Sequence, residues 1–593
     1  MNNLIASLIN LNHPGHYYHW SILTISLANL VIVLTMIVIF FLALVLPFPG
    51  NKEKLLEADK DQDKSDELKY DSTTNKMWTA RIRHLIIKYL PPNKLLPDNQ
   101  PAYVSSWIYV FGVATLAALF MVIISGMALA IGGADWWHVN PIGHFFNSLH
   151  LWGVQLFMAF MVIHLWGKFW MAAWRGRRAL TWITGVAALM ISIVEAFTGY
   201  LSQQNFDSQW IATNGKDAIN ATGMGTFFNL MNFSQMLLWH VVLIPIALLV
   251  LVGSHILLVR IRGVSHPLPV KRPKGRLARL QAKKHDSQEW RGPNRRYDII
   301  KEASIAIVVV FGLIFILAGL LSSPDKPPVT IQSWSQVAPA DFMATAASEL
   351  AGTSESAQYG PPYNTGHKNV QKIGISLQSL VGVHQQFNSA KTFVLDPLSA
   401  LAVKNSSLSQ AVQKYNAANI YQQKLWDKNY LQALDNVSFV NNIPKVPTTN
   451  DGPVPILISN ELTFAQSGAI DANLLDQQPL YGTNYTKPLL FIEDGNYFSS
   501  LAKKNHLYGT QWGVMNETGS YPGQPWLWLY TLWYQVPTFS TSANVDLIAI
   551  ILTAVATVML MAIPFVPLLR DIPRYIPVHR IIYRSWNKRR DKF

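Results

Sequence analysis

Four histidines sit inside strongly apolar runs of this chain. His150 and His164 stand 14 residues apart in one run, and His240 and His255 stand 15 apart in another. At 1.5 Å rise and 100° per helical residue, these separations span roughly 21 to 22 Å and return the second side chain to within about 40 to 60° of the first. Each run therefore presents one imidazole near each of its ends. With one further span between them the two runs are parallel, so His150 faces His240 at one end and His164 faces His255 at the other. Two imidazoles opposed in this way fill both axial positions of a haem iron, which suits outer-sphere electron transfer and excludes oxygen binding. A lone intramembrane histidine is often only an interhelical polar contact. Two matched pairs are poorly served by that reading.

Glycine repeats the interval. Gly112 and Gly126 lie 14 apart in the run before the first histidine pair, and Gly185 and Gly199 lie 14 apart in the run between the pairs. A missing side chain at each level lets a flat macrocycle approach the backbone. The ordinary reading, that glycine is simply common in membrane helices, covers one such pair better than two.

The elements that carry these residues follow from composition. Of 593 residues, 50% are hydrophobic and 14% charged, too few polar groups to coat a soluble protein of this size. Runs long enough to cross a hydrocarbon layer of about 30 Å occur near 20–46, 105–131, 148–170, 181–201, 236–260, 298–322 and 541–567. The first lacks a basic leader and a small-residue cleavage site, and reads as a retained helix. With no cysteine, the chain offers no disulfide, no thiolate to an iron–sulfur cluster and no thioether anchor for haem. Basic residues gather in three places: Lys168 to Arg178, Arg260 to Arg296, and Arg570 to Lys592. Alternating spans put all three on one side, which the positive-inside bias makes cytoplasmic. Topology thus accounts for the net charge of +14 without nucleic acid.

The polar stretch 323–540 is long enough for a domain on the opposite, extracytoplasmic side. It carries Asn-x-Ser/Thr triplets at Asn405, Asn436, Asn484 and Asn516, which arise often by chance in polar segments. His13, His16 and His19 precede the first span; a metal site there competes with plain interfacial histidines.

With these residues in view the chain resembles cytochrome b of the quinol-oxidising bc-type complexes. The resemblance rests on Ser148-Leu-His-Leu-Trp through His164-Leu-Trp-Gly-Lys168, then Leu180-Thr-Trp-Ile-Thr-Gly185, Thr198-Gly-Tyr200, His240 and His255. It covers about residues 100 to 270, and the unequal 14 and 15 spacing is similar to the plastid and Gram-positive branch. Ile193-Val-Glu-Ala-Phe-Thr-Gly-Tyr200 resembles actinobacterial members with a Glu at the place of Glu195. Tyr297-Asp-Ile-Ile-Lys301 looks like the start of the family's fifth helix. Pro522 to Pro537 is similar to the outer quinol stretch that in the family begins Pro-Glu-Trp-Tyr. Here it reads Pro522-Gly523-Gln524-Pro525, so the carboxylate credited with accepting the quinol's proton is absent and Gln524 stands in its place. Asn147 replaces the arginine usual before the first ligand. About 200 residues separate these two pieces, and the last one or two helices of the family have no counterpart.

The resemblance implies two haems b, an outer one between His150 and His240 and an inner one between His164 and His255. Gly112, Gly126, Gly185, Gly199 and Lys168 would line them. Quinol is the implied substrate, with Glu195 and Gln524 as candidates at its oxidation site. Glu195 is either a proton relay, as intramembrane acids often are, or a carboxyl hydrogen-bonded beside a haem edge; Asp207 is a weaker candidate. Lys168, Arg262 or His266 would serve an inner quinone, or else anchor the membrane surface. Implied partners are a Rieske iron–sulfur protein and a cytochrome c or blue-copper acceptor, in a multi-subunit, dimeric respiratory complex of a prokaryotic plasma membrane.

The expected architecture is an all-α transmembrane helix bundle of about seven spans with a dihaem four-helix core and a large inserted extracytoplasmic domain. Its expected parts are an extra N-terminal helix (1–50), a charged cytoplasmic linker with an amphipathic helix (51–100), the dihaem core (101–265), a basic loop (266–297), a span (298–322), the insert (323–540), the last span (541–569) and a basic tail (570–593). The expected activity is quinol oxidation coupled to proton translocation. Two rivals are a non-bifurcating cytochrome b wiring the quinone pool to another partner, and a haem-free transporter or scaffold.

Overall fold

The computed structural model describes residues 9–49, 92–133, 135–225, 227–268, 275–288, 290–358, 371, 388–402, 405–440, 443–447, 450–478, 482–508, 512, 518–523 and 527–590. Most of the linker and amphipathic-helix reading at 51–100, Asn516 and Gln524 therefore lie outside the described residues.

Among the described residues, seven helices are long and apolar enough to cross a membrane. They are α1 (Leu27–Val45), α2 (Trp107–Gly132, opening with a 3-10 turn at Trp107–Tyr109), α3 (Pro141–Trp170), α4 (Ala179–Leu201), α6 (Phe233–Arg262), α7 (Ile299–Leu321) and α11 (Val545–Ala562). A further helix, α5 (Phe206–Ala221), connects α4 to α6. The spans keep many large apolar side chains on their outer faces, among them Ile246, Val250, Val308, Val309 and Ile316. Such a surface is stable against lipid and costly in water. Among the described residues, strands are confined to four two-stranded ladders, in keeping with the all-helical expectation.

The ends of the spans have local causes. The first apolar run begins near residue 20, but α1 starts only at Leu27, because Tyr17–Trp20 and Leu23–Ser26 pair as an antiparallel hairpin. Ser26 then caps α1 by accepting from the Asn29 backbone N–H at 3.3 Å. Asn140 caps α3 at the Ile142 N–H, with Pro141 at the first helical position where its missing donor costs nothing.

α2 and α3 pack antiparallel around small residues, Ala114, Ala117 and Ala118, with Leu149, Trp152, Phe157 and Met158 against them. α7 lies across both, and α4 packs on α6. The last span runs down α4, held by Trp182 Nε1 donating to the Leu560 carbonyl at 2.8 Å and by Thr557 Oγ1 on Met190 Sδ at 3.0 Å.

α6 is not a uniform helix. Trp239–Leu243 forms a π turn separated from Pro245 only by Ile244. Proline has no N–H to donate to the carbonyl four residues back, and its ring crowds that carbonyl, so one extra residue is accommodated there. The 15-residue spacing of His240 and His255 then turns like the 14-residue spacing of His150 and His164.

The described residues of the stretch 323–540, expected to be an insert, are mostly helical, with α8 (Pro339–Ala351), α9 (Ile420–Leu434) and α10 (Val454–Gln466) packed on one another. Trp334, Phe342, Phe393 and Phe491 form its aromatic centre, with ring centroids 5.0 to 5.6 Å apart. Its core is shared with the connection between α4 and α6, since Phe206, Trp210, Phe228 and Met231 belong to the same cluster. Trp210 Nε1 donates to the Leu507 carbonyl at 2.8 Å, and buried Lys216 pairs with Glu493 at 2.6 Å. The insert is thus built onto the bundle rather than tethered to it.

Candidate functional site

α2, α3, α4 and α6 carry the four histidines and the four glycines, and each glycine faces one histidine. A Cβ placed on Gly112 would lie 2.9 Å from His164 Cε1, on Gly126 3.1 Å from His150 Cε1, and on Gly185 3.0 Å from His255 Cε1; on Gly199 it would press on His240. The contact made possible by each missing side chain is with an imidazole, whose ring slides between two helix backbones. The sequence reading had the macrocycle alone as the reason for these glycines.

His150 and His240 oppose one another with ring centroids 6.1 Å apart and planes at 87°. A metal–imidazole bond of about 2 Å on each side, plus roughly 1 Å from each nitrogen to its ring centre, spans about 6 Å. His164 and His255 line a cavity of about 1770 Å³ together with Gly112, Gly185, Lys168 and Arg178. Lys168 stands one turn beyond His164, its ammonium 4.4 Å from the Tyr109 ring centre.

The second ring nitrogen of each histidine shows which tautomer the bundle holds. His150 Nδ1 lies 3.1 Å from both the Val122 carbonyl and Ser125 Oγ. His240 Nδ1 lies 3.0 Å from the Glu195 carbonyl, with Glu195 Oε1 at 3.3 Å and Thr198 Oγ1 at 3.5 Å. His255 Nδ1 lies 3.1 Å from Thr184 Oγ1 and also bonds the Thr181 backbone. A carbonyl only accepts, so Nδ1 carries the proton and the Nε2 lone pair is left for a metal. The partners recur by position: the residue before the glycine supplies a hydroxyl and the one four before it a carbonyl. The fourth site breaks the rule. Phe111 precedes Gly112, Ile108 lies in the 3-10 turn, and the buried His164 Nδ1 has no partner. Sequence reasoning missed this rule, although Ser125-Gly126, Thr184-Gly185 and Thr198-Gly199 were all legible.

The other sequence candidates are dispersed. Glu195 leans on His240, and its second oxygen, Oε2, is buried without a partner. Asp207 is fully buried, accepting from the Thr518 backbone N–H at 2.8 Å and from the Thr518 hydroxyl, so it locks the insert to α5. His266 is buried; its carbonyl takes Arg175, whose guanidinium also grips both oxygens of Asp286 at 2.8 and 2.9 Å. Burial beside Arg178 holds the His266 imidazole well below its ordinary range, at about 4. His19 bonds Thr24 across the hairpin at 2.9 Å. Among the described residues, the grouping of three potential metal ligands is His266, His285 and Asp286, not the N-terminal histidines. Gly523 is pinned from two sides: its N–H donates to Asn29 Oδ1 at 2.9 Å, and its carbonyl accepts from Gln155 Nε2 at 3.3 Å.

Residues 155–324 match the family model described as cytochrome b(N-terminal)/b6/petB, a segment that includes His164, Gly185, Gly199, His240 and His255. These matches support a divergent bc-type cytochrome b.

Proteins to which the chain is similar include the cytochrome bc complex cytochrome b subunit of Chlorobaculum thiosulfatiphilum, 28% identical over 22% of this chain and 33% of that one. Cytochrome b6 of Heliomicrobium gestii is 26% identical over 21% of this chain and 64% of its own length. The menaquinol:cytochrome c reductase cytochrome b subunit of Geobacillus thermodenitrificans is 26% identical over 29% of this chain and 86% of its own. The chain thus spans only a third of the first relative and just under two thirds of the second. The cytochrome b family implies haem b, and the bundle fits that group: opposed imidazoles at an iron-bridging separation, Nδ1 protons fixed by carbonyls, and a cavity at the second pair.

Proposed function

We propose that this chain is the dihaem cytochrome b subunit of a bc-type respiratory complex, carrying electrons from a quinol across the membrane between two bis-histidine sites. His150 and His240 would hold the outer haem and His164 and His255 the inner one. The observation that carries this reading is the 6.1 Å opposition of His150 and His240 at one end of the bundle, with the second pair lining a cavity toward the other. Haem b held by these histidines would supply a one-electron iron couple.

The chain's own residues do the rest. Carbonyls of Val122, Thr181 and Glu195 orient the imidazoles, and the glycines admit them. Lys168 and Arg178 bring positive charge to the inner cavity, where it would balance acidic groups of the cofactor or an inner quinone. On the outer side the Pro522–Pro537 segment, held by Asn29 and Gln155, would seat the quinol. One electron would leave to a Rieske iron–sulfur partner and on to a cytochrome c or blue-copper acceptor, the other through the bundle to an inner quinone, with proton translocation. The basic end would face the cytoplasm of a prokaryote and the insert the outside.

A second reading, a non-bifurcating cytochrome b serving another redox partner, is favoured by the missing carboxylate of the outer motif. The test is quinol addition to membranes containing the chain. Reduction of a b-type spectrum that requires a Rieske protein and stops with outer-site inhibitors supports bifurcation. Reduction indifferent to both supports the second reading, and no b-type spectrum removes both.

A further inference from the structure

The outer motif lacks its acid, yet a chain of hydroxyls that starts in the same segment ends on one in α11. Tyr530, packed against the core of the bundle, has its hydroxyl 3.1 Å from that of Tyr534. Tyr534 in turn donates to Asp546 Oδ1. The other oxygen of Asp546 accepts from Gln371 Nε2 at 2.8 Å, and Gln371 is itself fixed by the Leu547 N–H at 3.0 Å. Both oxygens of Asp546 therefore act as acceptors, the pattern of an unprotonated carboxylate. It lies in the first turn of α11, where the helix dipole favours negative charge.

The chain of hydroxyls lies at the outer level of the bundle. α11 is antiparallel to α4, with Thr557 on Met190. Nine residues from Met190 to Gly199 and eleven from Thr557 to Asp546 are roughly 14 and 17 Å of helix. Asp546 thus comes level with Gly199, which faces His240. Three further polar atoms are buried without partners: Trp528 Nε1 and Gln535 Nε2, in the same stretch of chain as Tyr530 and Tyr534, and Oε1 of Gln155, the residue that grips Gly523. Unpaired buried groups of this kind call for a ligand bearing hydroxyl or carbonyl oxygens.

We propose that Tyr530, Tyr534 and Asp546 form the proton exit for a quinol oxidised at the outer face, replacing the carboxylate absent from Pro522-Gly523-Gln524-Pro525; this rests on the quinol reading above. As the quinol O–H bond breaks, its proton passes to the Tyr530 oxygen, Tyr530 gives its own to Tyr534, and Tyr534 gives its own to Asp546. The second O–H proton follows the same route in a second cycle, and the two electrons go to the two one-electron acceptors of the proposed function, an iron–sulfur partner and the outer haem. Asp546 then releases the proton to the aqueous side, restoring the chain of hydrogen bonds.

The test uses the full chain in its native membranes, with a short-chain naphthoquinol and a short-chain benzoquinol as alternative probes. Tyr534→Phe and Asp546→Asn keep shape and remove the transferable proton or its acceptor; Asp546→Glu restores the acceptor. We expect the two former variants to keep the dithionite-reduced b spectrum and quinol KM of the parent, while the rate of quinol-driven haem reduction falls about hundredfold, within the range of general-base work. Asp546→Glu should recover most of that rate. Wild-type rates in both variants overturn the relay, and so does a rate loss that merely tracks loss of haem. Absence of a b spectrum in the parent instead defeats the proposed function itself.

Discussion

His164 is the one ligand candidate whose Nδ1 has no partner, and this asymmetry has an electrical consequence. An Nδ1–H that donates to a hydroxyl or carbonyl makes the imidazole a stronger base and favours ferric iron, lowering the midpoint potential. Phe111 occupies the place where Ser125, Thr184 and Thr198 supply hydroxyls at the other three sites. Phe111→Ser should therefore give His164 a partner. A net neutral hydrogen bond is worth about 1 kcal/mol; with 59 mV per tenfold change for one electron, that corresponds to at most about 40 mV. The ring also packs on Phe160 at 5.9 Å, so Phe111→Ala is the reference: it removes the ring without adding a hydroxyl. Redox titration of the inner haem should place the Ser variant below the Ala variant by a few tens of millivolts, with the outer haem unmoved. Equal potentials in the two variants, or a higher one in Ser, would refute the second-partner reasoning.

Other consequences follow from burial and contact. Gly199→Ala should lose the outer haem and keep the inner, because the added methyl group meets His240, whereas Gly312→Ala, where a Cβ meets nothing within 4 Å, should leave haem content unchanged. In the insert, burial raises the Asp427 carboxyl from 3.8 to about 6. A raised carboxyl stabilises the fold below its unfolded value and loses that contribution as pH climbs through the folded one, so denaturant resistance of the insert should fall between pH 4 and 6 by on the order of 2–3 kcal/mol. Asp427→Asn, which still accepts from the Tyr415 hydroxyl, should flatten that profile; an unchanged slope would remove Asp427 as its source. Glu461 is fully buried with neither oxygen partnered, so Glu461→Met should stabilise the insert by about 1–3 kcal/mol in denaturant unfolding, against the usual direction for a core substitution.

Much of the bundle was legible because lipid imposes a strict length and composition on what crosses it. All seven spans were found, and the error at the first arose where an apolar run continued through a hairpin whose pairing hydropathy does not report. The histidine and glycine intervals picked out residues that the bundle brings face to face, but not the reason for 14 in one helix and 15 in the other. That lay in the π turn before Pro245, a backbone adjustment that periodicity alone reads as a 60° misfit. The Nδ1 partners are main-chain carbonyls in three cases, invisible to any scan of side chains. Tyr530, Tyr534 and Asp546 were missed because their association depends on how the segment after the insert folds back onto α11. The insert itself shows no strong period: its core draws on Phe206, Trp210 and Met231 from another part of the chain, and a domain that borrows its core has a weak pattern of its own.

The most direct measurement is the haem content of the purified full chain, by pyridine haemochrome and low-temperature electron paramagnetic resonance. Two low-spin b haems per chain are predicted, falling to one on His164→Ala with the outer signal retained. A chain that binds no haem, or whose spectrum is untouched by replacing His164, would contradict the paired-imidazole account.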